Sequence, residues 1–402
     1  MNVAFRHEAA DARASIGRKD RAHALHARID VYDDLAAAAP AWRQLEDLDA
    51  LSTPYQRFAW IDLWHRHVSG PQGLTPLIVV ARDAMGAPLF LLPFLRRRKG
   101  SVTIAGFFGG RHANLNAGLW RRDVACAITA DELRAIFAEV AERHGIDLFK
   151  LSSQPAKIAG VDNPLALFPS QRTPDDVYST TLSGSNGEEA LRSCLKSAMR
   201  GRLRTKERKL AEFPGYRYNV AATTADADRY LDAFLKQKAA HLEAQGIRNV
   251  FDDADIVAFL RAGCHDGLAE GRPIIEMHVL ECDDDVIAVF GGVRDDRRLS
   301  CMINSYTMGE GRRWSPGLVL LTHLVRYCGE HGIGCLDLGA GYAEYKTFFC
   351  KETERTFDTI IGFSQVGRVT AAALTVTRGL KRKLKATPSL WSAMKLVRKL
   401  VH

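Results

Sequence analysis

Apolar positions along the chain fall into two spacings, and the spacings alternate in blocks. ARIDVYDD (27–34) has the alternation of a short strand and leads into a helix over 34–49. In STPYQRFAWIDLWHRHV, apolar residues at 58, 61, 64 and 68 recur at helical spacing, with Ser52 or Thr53 as the cap. PLIVVARD, APLFLLPFLRRR and VTIAGF then predict three strands, divided at Met85-Gly86 and Lys99-Gly100. DELRAIFAEVAERHG predicts a helix closed by Gly145, and IDLFKLSS predicts another strand. The second half repeats this order. A basic helix over 188–211 precedes the strand YRYNVA and helices over 225–244 and 252–270. A meander of PIIEMHVLEC, DVIAVFGGVR and LSCMINSYT follows, then a helix from 315 to 331 and the strands GCLDLG and TFDTIIGFS. Two runs of one element order predict two copies of an α/β domain, each a mixed sheet flanked by helices. Turn residues concentrate over 153–190, which puts the linker there. The expected units are a mobile arm over 1–26, domains over 27–185 and 186–365, and a basic helical tail over 366–402.

With 402 residues the chain can bury two cores, and its 47% apolar content is that of a globular protein. The net charge of +8 favours anionic partners such as phosphates, nucleic acid or a membrane surface. The N-terminus lacks the apolar core of a signal peptide, and no run of about 18 apolar residues predicts a membrane span. Eight cysteines form no CxxC pair and are expected to be reduced thiols of a cytoplasmic protein. Cys328, His331 and Cys335 lie close in sequence but lack a fourth ligand, so no metal is expected. The tail has two readings: a surface helix docked on its own domain, or a helix lying peripherally on an anionic inner membrane.

The stretch RRWSPGLVLLTHL (312–324) carries the most pointed chemistry. Ser315 is a favoured N-cap residue and Pro316 suits the first helical position. Gly317 costs about 1 kcal/mol relative to alanine in a first turn. It leaves bare the place where first-turn N–H groups and the helix dipole meet an anion. Arg312 and Arg313 stand just before it, and Leu318 opens the apolar face. The two readings are a well-started core helix and a pyrophosphate site. The matching helix of the first half starts with Thr129, Asp131 and Glu132, acids that repel a phosphate. The first domain is therefore not expected to bind a phosphate there.

The order of elements through SYTMGEGRRWSPGLVLLTHLVRYCGEHGIGCLDLGAGYAEYKTFF resembles the CelD/BcsL-type acetyltransferases of cellulose and exopolysaccharide biosynthesis. The resemblance spans residues 30–365. It includes STPYQRFAWIDLWHRH near the start, the basic CLKSAMRGRLRTKERKL, Ser315-Pro316-Gly317, Asp337 and Tyr345-Lys346. It implies tandem acyl-CoA N-acyltransferase (GNAT-type) domains, distantly similar to Fem-type peptidyl transferases. It also implies acetyl-CoA or another acyl-CoA as co-substrate, with its pyrophosphate at 312–317. GNAT enzymes bring an amine directly to a thioester, so the protein must orient the pair, move a proton and support an oxyanion. The chain departs from the family at GAGYAEYK, where members carry an Arg-Gly-Asp-Glu-like run before Tyr-Lys.

Candidate residues follow, each with a structural alternative. Tyr345 and Lys346 follow a glycine-rich bend; the tyrosine suits protonation of a leaving thiolate and the lysine a substrate phosphate or carboxylate. Asp337 and Glu344 are candidate acids. Glu276 and His278 share one strand face, and histidine titrates near neutrality. Asn304 and Tyr306 share a face of the next strand and point to the same cleft in the GNAT order. The run from Arg192 to Lys209 is either a solvated face or a guide for an anionic substrate. The loop GFFGGRHANLN (106–116) is either a turn or part of a cleft between domains. No aromatic interleaving or motif points to nucleic acid. The expected function is acyl transfer to an amino or hydroxyl group of a sugar or cell-envelope precursor. The alternatives are a Fem-type aminoacyl-tRNA-dependent transferase and a non-catalytic GNAT-fold component of a polysaccharide system.

Overall fold

The computed structural model describes residues 27–283 and 285–386. The arm expected over 1–26 and the end of the tail, 387–402, lie outside the described residues. The first half runs β1 (Arg28–Tyr32), α1 (Leu35–Asp47), α2 (Phe58–Trp64), β2 (Thr75–Arg82), β3 (Pro88–Lys99) and β4 (Val102–Phe107). It continues with β5 (Leu119–Trp120), α3 (Arg122–Ala127), α4 (Ala130–His144), β6 (Leu148–Pro155), β7 (Lys157–Ile158), β8 (Val161–Asp162) and β9 (Ser170–Arg172). The second half begins β10 (Val177–Thr181), α5 (Gly187–Cys194), α6 (Ser197–Leu210), β11 (Arg217–Val220), α7 (Thr224–Ala244) and α8 (Ala254–His265). Then come β12 (Glu276–Cys282), β13 (Asp285–Arg294), β14 (Arg298–Tyr306), α9 (Pro316–Glu330), β15 (Cys335–Ala340) and α10 (Glu344–Phe349). The chain ends β16 (Glu352–Glu354), β17 (Thr356–Gly362) and α11 (Gln365–Ala386).

These strands form two large mixed sheets, as the repeated pattern predicts. The first has the order β1-β2-β3-β4-β6-β17-β9 and the second β11-β12-β13-β14-β15-β10-β16. The outer strands are exchanged. β17, from the end of the chain, lies between β6 and β9 of the first sheet, and β10, from the segment read as linker, lies between β15 and β16 of the second. Residues 177–181 thus sit in the second sheet and 356–362 in the first, on the far sides of the boundaries drawn from turn residues. Sequence pattern cannot assign such short strands to a sheet, because pairing partners are chosen by tertiary contacts rather than by local alternation.

Each sheet is covered on one face by its own helices. Phe137 of α4 meets Phe149 of β6 with centroids 4.7 Å apart, and α9 covers the second sheet through Val319, Leu320 and Leu324. The other faces look at each other across a shared helical layer. Trp60 stacks on Trp64 at 5.5 Å, and both meet Phe259 of α8 edge-on at 5.6 and 5.0 Å. Gly263 permits this approach: a Cβ there would lie 2.7 Å from Ile275 Cδ1 and 3.1 Å from Leu63 Cδ2. Fully burying aromatics of this size contributes about 2–3 kcal/mol each, so the two halves stabilise one another.

The basic helix expected over 188–211 is two helices. Leu195 and Lys196 are extended (ψ 132° and 147°), and Leu195 is buried. Arg200 Nη1 donates to the Leu195 carbonyl at 2.5 Å. This break lets α5 pack closely along α9, where Gly329 meets Ala190, while α6 folds over the start of α9. The helix expected over 252–270 ends at His265.

Candidate functional site

Parallel strands β14 and β15 pair only over Arg298–Ser300 and Cys335–Asp337. Beyond that point the two strands no longer pair, and the end of β14, still paired with β13 through Tyr306, borders a cavity of about 330 Å³. Val289, Phe290, Leu320 and Leu321 make its apolar surface; Asn304, Ser305, Tyr306 and Tyr345 make its polar side; Arg312, Ser315, Gly317 and Leu318 form its end at the start of α9. The structure therefore brings together Asn304, Tyr306, Arg312, Ser315, Gly317, Leu318 and Tyr345 from the residues singled out in the sequence.

The start of α9 departs from the cap rule. Ser315 occupies the N-cap position with φ 54° and ψ 57°, and its side chain caps nothing. Its Oγ instead accepts from Lys206 Nζ at 2.6 Å. A left-handed serine is strained by about 1 kcal/mol or more, and here it turns the chain from a short 3-10 helix (Glu310–Trp314) into α9. The Gly317 N–H finds no partner among the described residues, because it lies in the first turn and the helical bonds begin at Leu318, whose N–H reaches the Ser315 carbonyl at 2.9 Å. A Cβ on Gly317 would sit 3.5 Å from Tyr306 Cδ1. Arg312 lines the cavity; Arg313 does not, being paired with Glu310 at 3.3 Å and laid over Trp314 on the surface. In the first half, the Glu132 carboxylate accepts from Thr129 N at 2.8 Å, so α4 starts on its own anion.

Lys206 was submerged in a basic run, but a signal was present. Met199, Leu203, Lys206 and Leu210 share one helical face, and Leu203 and Leu210 are buried. A lysine at a core position of an amphipathic pattern is aimed at something. α7 holds the same signal. Ala227, Tyr230, Leu231 and Phe234 are buried, and the face then continues through Gln237, Lys238 and His241. Gln237 Oε1 accepts from Ser305 Oγ at 2.8 Å. Burial pulls the Lys238 ammonium below its ordinary pKa, and its Nζ has the Asn304 carbonyl at 3.5 Å. His241 Nδ1 donates to the Gln237 carbonyl at 3.0 Å, Nε2 is buried without a partner among the described residues, and the ring meets Tyr306 edge-on at 4.6 Å.

Tyr345 Oη accepts from Asn304 Nδ2 at 3.2 Å. Burial, with the Cys301 thiol beside it, raises the Tyr345 pKa well above that of a free phenol, so it stays protonated and able to donate. The Cys301 thiol is itself pushed up to about 12 by burial, which disfavours a thiolate nucleophile there. The loop 106–116 reaches this point from the first half. Asn114 Nδ2 donates to the Cys301 carbonyl at 2.7 Å and to Tyr55 Oη at 3.0 Å, so the loop is part of the seam between the halves and more than a turn.

Other candidates lie elsewhere, for stated reasons. Lys346 is 7% exposed and spends its donors on the carbonyls of Gly339, Ala340 and Gly341 at 3.1, 3.0 and 3.1 Å, so it clips the glycine-rich bend. Burial lowers its pKa. Asp337 is fully buried where β14 and β15 pair; it accepts from Gly339 N at 2.6 Å and Ser300 Oγ at 3.1 Å, and Arg298 lies 3.6 Å away. Burial raises its pKa against the pull of Arg298. Arg298 also pairs with Glu354 of β16, so this network fastens the exchanged strand region. His278 is enclosed behind Phe290, with Nδ1 and Nε2 at 2.8 Å from Tyr218 Oη and Glu276 Oε1. Glu276 also pairs with Arg294 at 3.0 Å. Glu344 is exposed at the start of α10, away from the cavity lining. Among the described residues no group of His, Cys, Asp and Glu is arranged to hold a metal ion.

Residues 197–347, from the start of α6 into α10, match the family described as Acetyltransferase (GNAT) domain. Among solved structures, the chain is similar to FemX at 11% identity and a TM-score of 0.56, over 83% of this chain and 97% of that one. It is also similar to a conserved protein of unknown function from Bacteroides thetaiotaomicron at 12% identity and a TM-score of 0.53, over 83% of this chain and all of the other. No curated protein matches the sequence. At such identities the structural likeness speaks for the fold alone. The fold is the tandem GNAT-like α/β arrangement, and the match to the GNAT domain family lies in its second half.

Proposed function

We propose that the protein is an acyl-CoA-dependent acyltransferase acting through the cavity of its second half, with an amino or hydroxyl group of a sugar or cell-envelope precursor as acceptor. The observation that carries this reading is the α9 start: a Gly317 N–H without a partner among the described residues, no Cβ in the way, Arg312 on the cavity lining, and Lys206 bonded to Ser315 Oγ. That is a receptor for phosphate oxygens. The apolar surface beyond it suits a pantetheine arm, and about 330 Å³ falls within the range of small-molecule sites. Tyr345 is placed to protonate the leaving thiolate, with Asn304 orienting its Oη. His241 Nε2, held in the acceptor tautomer by the Gln237 carbonyl, supplies a base on the Tyr306 side. The resemblance to cellulose and exopolysaccharide acetyltransferases supports the sugar-linked acceptor. Of the GAGYAEYK run only Tyr345 lines the cavity; the altered positions before it do not, Glu344 is exposed and Lys346 is structural, so the divergence does not count against activity.

Calorimetric titration with acetyl-CoA tests the proposal. Saturable binding is expected, weakened about tenfold or more by Arg312→Ala and by Lys206→Ala, each of which removes a charged donor. Gly317→Val, whose branches enter the cavity beside Tyr306, is expected to abolish binding with the fold intact. Absence of wild-type binding at millimolar acetyl-CoA sinks the reading. Binding of aminoacyl-tRNA under the same conditions would favour the Fem-type alternative.

A further inference from the structure

The end of the chain has a charge unlike the rest. Residues 365–402 contain nine Lys and Arg and no Asp or Glu. The whole chain has 55 basic and 47 acidic residues, so residues 1–364 hold 46 basic against 47 acidic. All of the basic excess belongs to the last segment, and α11 begins it.

α11 is fixed to the first sheet by a small-residue face. Gly367 packs so tightly that a Cβ would lie 1.9 Å from the Asp147 carbonyl oxygen, and Ala371 is buried. Ser364 Oγ donates to Asp147 Oδ1 at 2.5 Å and accepts from Gly367 N at 3.0 Å. Among the described residues nothing covers the opposite face. Val366, Val369, Ala373 and Val376 follow helical spacing, all are exposed, and Val369 and Val376 are 72% and 70% exposed. In the sequence the same spacing continues to Leu380 and Leu384. Among the side chains described, the docked face reaches Leu374; from Arg378 the chain reads RGLKRKLK, four of whose five cations fall within two turns. A helix held by one face, apolar along the other and flanked by cations without acids has the pattern of an interfacial helix. Among the described residues no helix is long and apolar enough to cross a membrane.

We propose that α11 is a fixed handle that lays the protein on an anionic lipid surface, with Val369 and Val376 entering the acyl boundary and the cations of 378–385 meeting headgroup phosphates. Charge complementarity selects the lipid surface, because a purely electrostatic partner such as a nucleic acid has no use for the valine stripe. The stripe, in turn, faces away from the protein's own core. This inference is independent of the acyl-CoA reading and is tested without acyl donor.

Flotation of the full-length protein with phosphatidylcholine vesicles, with and without about one-third phosphatidylglycerol, is the test. Binding is expected only to the anionic vesicles. It should fall about tenfold or more in Val369→Asp/Val376→Asp and similarly in Lys381→Glu/Arg382→Glu/Lys383→Glu. The milder Val369→Ser/Val376→Ser and the thermal melting curve of each variant separate lost insertion from lost folding. Failure of the wild type to float with anionic vesicles overturns the proposal. So does a folded Val369→Asp/Val376→Asp variant that binds like the wild type, the result expected of a charge-only nucleic-acid surface.

Discussion

His112 sits in the loop that joins the two halves, and it is the place to test whether that seam is as apolar as it looks. Its ring lies between Trp64 of α2, 5.6 Å away, and Phe251 before α8, 5.9 Å away. Burial, reinforced by Arg111 and opposed by Asp253, pulls its pKa from 6.5 down to about 4. The sign follows from proton counting. Between pH 6.5 and 4 the unfolded chain holds a proton on this histidine that the folded protein refuses. Stability therefore falls as pH drops through that window and is complete above it. A site that binds its proton at 6.5 unfolded and about 4 folded contributes an acid loss of about 3 kcal/mol. His112→Phe keeps the aromatic contacts and removes the titration. Urea midpoints followed by tryptophan fluorescence at a series of pH values check this, since Trp64 touches the ring and reports directly. The variant should match the wild type near neutrality to within about 1 kcal/mol and lose stability much less between pH 6.5 and 4. Parallel loss in both proteins refutes the reasoning, because the seam would then admit water or a counter-charge to His112⁺.

Two other outcomes follow from the geometry. Lys346→Met leaves the Gly339, Ala340 and Gly341 carbonyls without their donor, so it should lower the urea midpoint by an amount worth about 2–4 kcal/mol; unchanged stability with lost turnover would return Lys346 to a substrate-binding role. Because β10 and β17 are exchanged, separate fragments 27–185 and 186–365 should each fail to fold, and the intact chain should unfold in one transition; a cooperatively melting fragment 186–365, which lacks β10, would contradict the sheet assignment.

How much of the site was readable depended on whether a residue's partner was local. Ser315-Pro316-Gly317 marked the helix start because Pro at the first position and a bare first turn are local signals. Arg312 and Gly317 both line the cavity, while Arg313, one residue away, turns outward to Glu310. Glu276 and His278 alternate on one strand face as read, yet that face is closed by α9, and their partners Tyr218 and Arg294 come from neighbouring strands. Asp337 and Lys346 look like chemistry in one dimension because acids and lysines are rarely buried. In three dimensions their charges are consumed by Gly339, Ser300, Arg298 and three carbonyls.

The sequence by itself determined the two sets of strands and helices, the repeat of their order, and the proline-led, glycine-bared start of α9. Each depends on periodicity, capping preference or the lack of a Cβ, which act within a few residues. Tertiary structure alone decided that β10 and β17 trade sheets, that Lys206 reaches Ser315 from α6, and that Lys238 and His241 end the buried face of α7 beside β14. Those choices join residues far apart in the chain. What fixes them is which apolar faces can be covered together and which buried polar atoms can then find partners, and no local pattern encodes that.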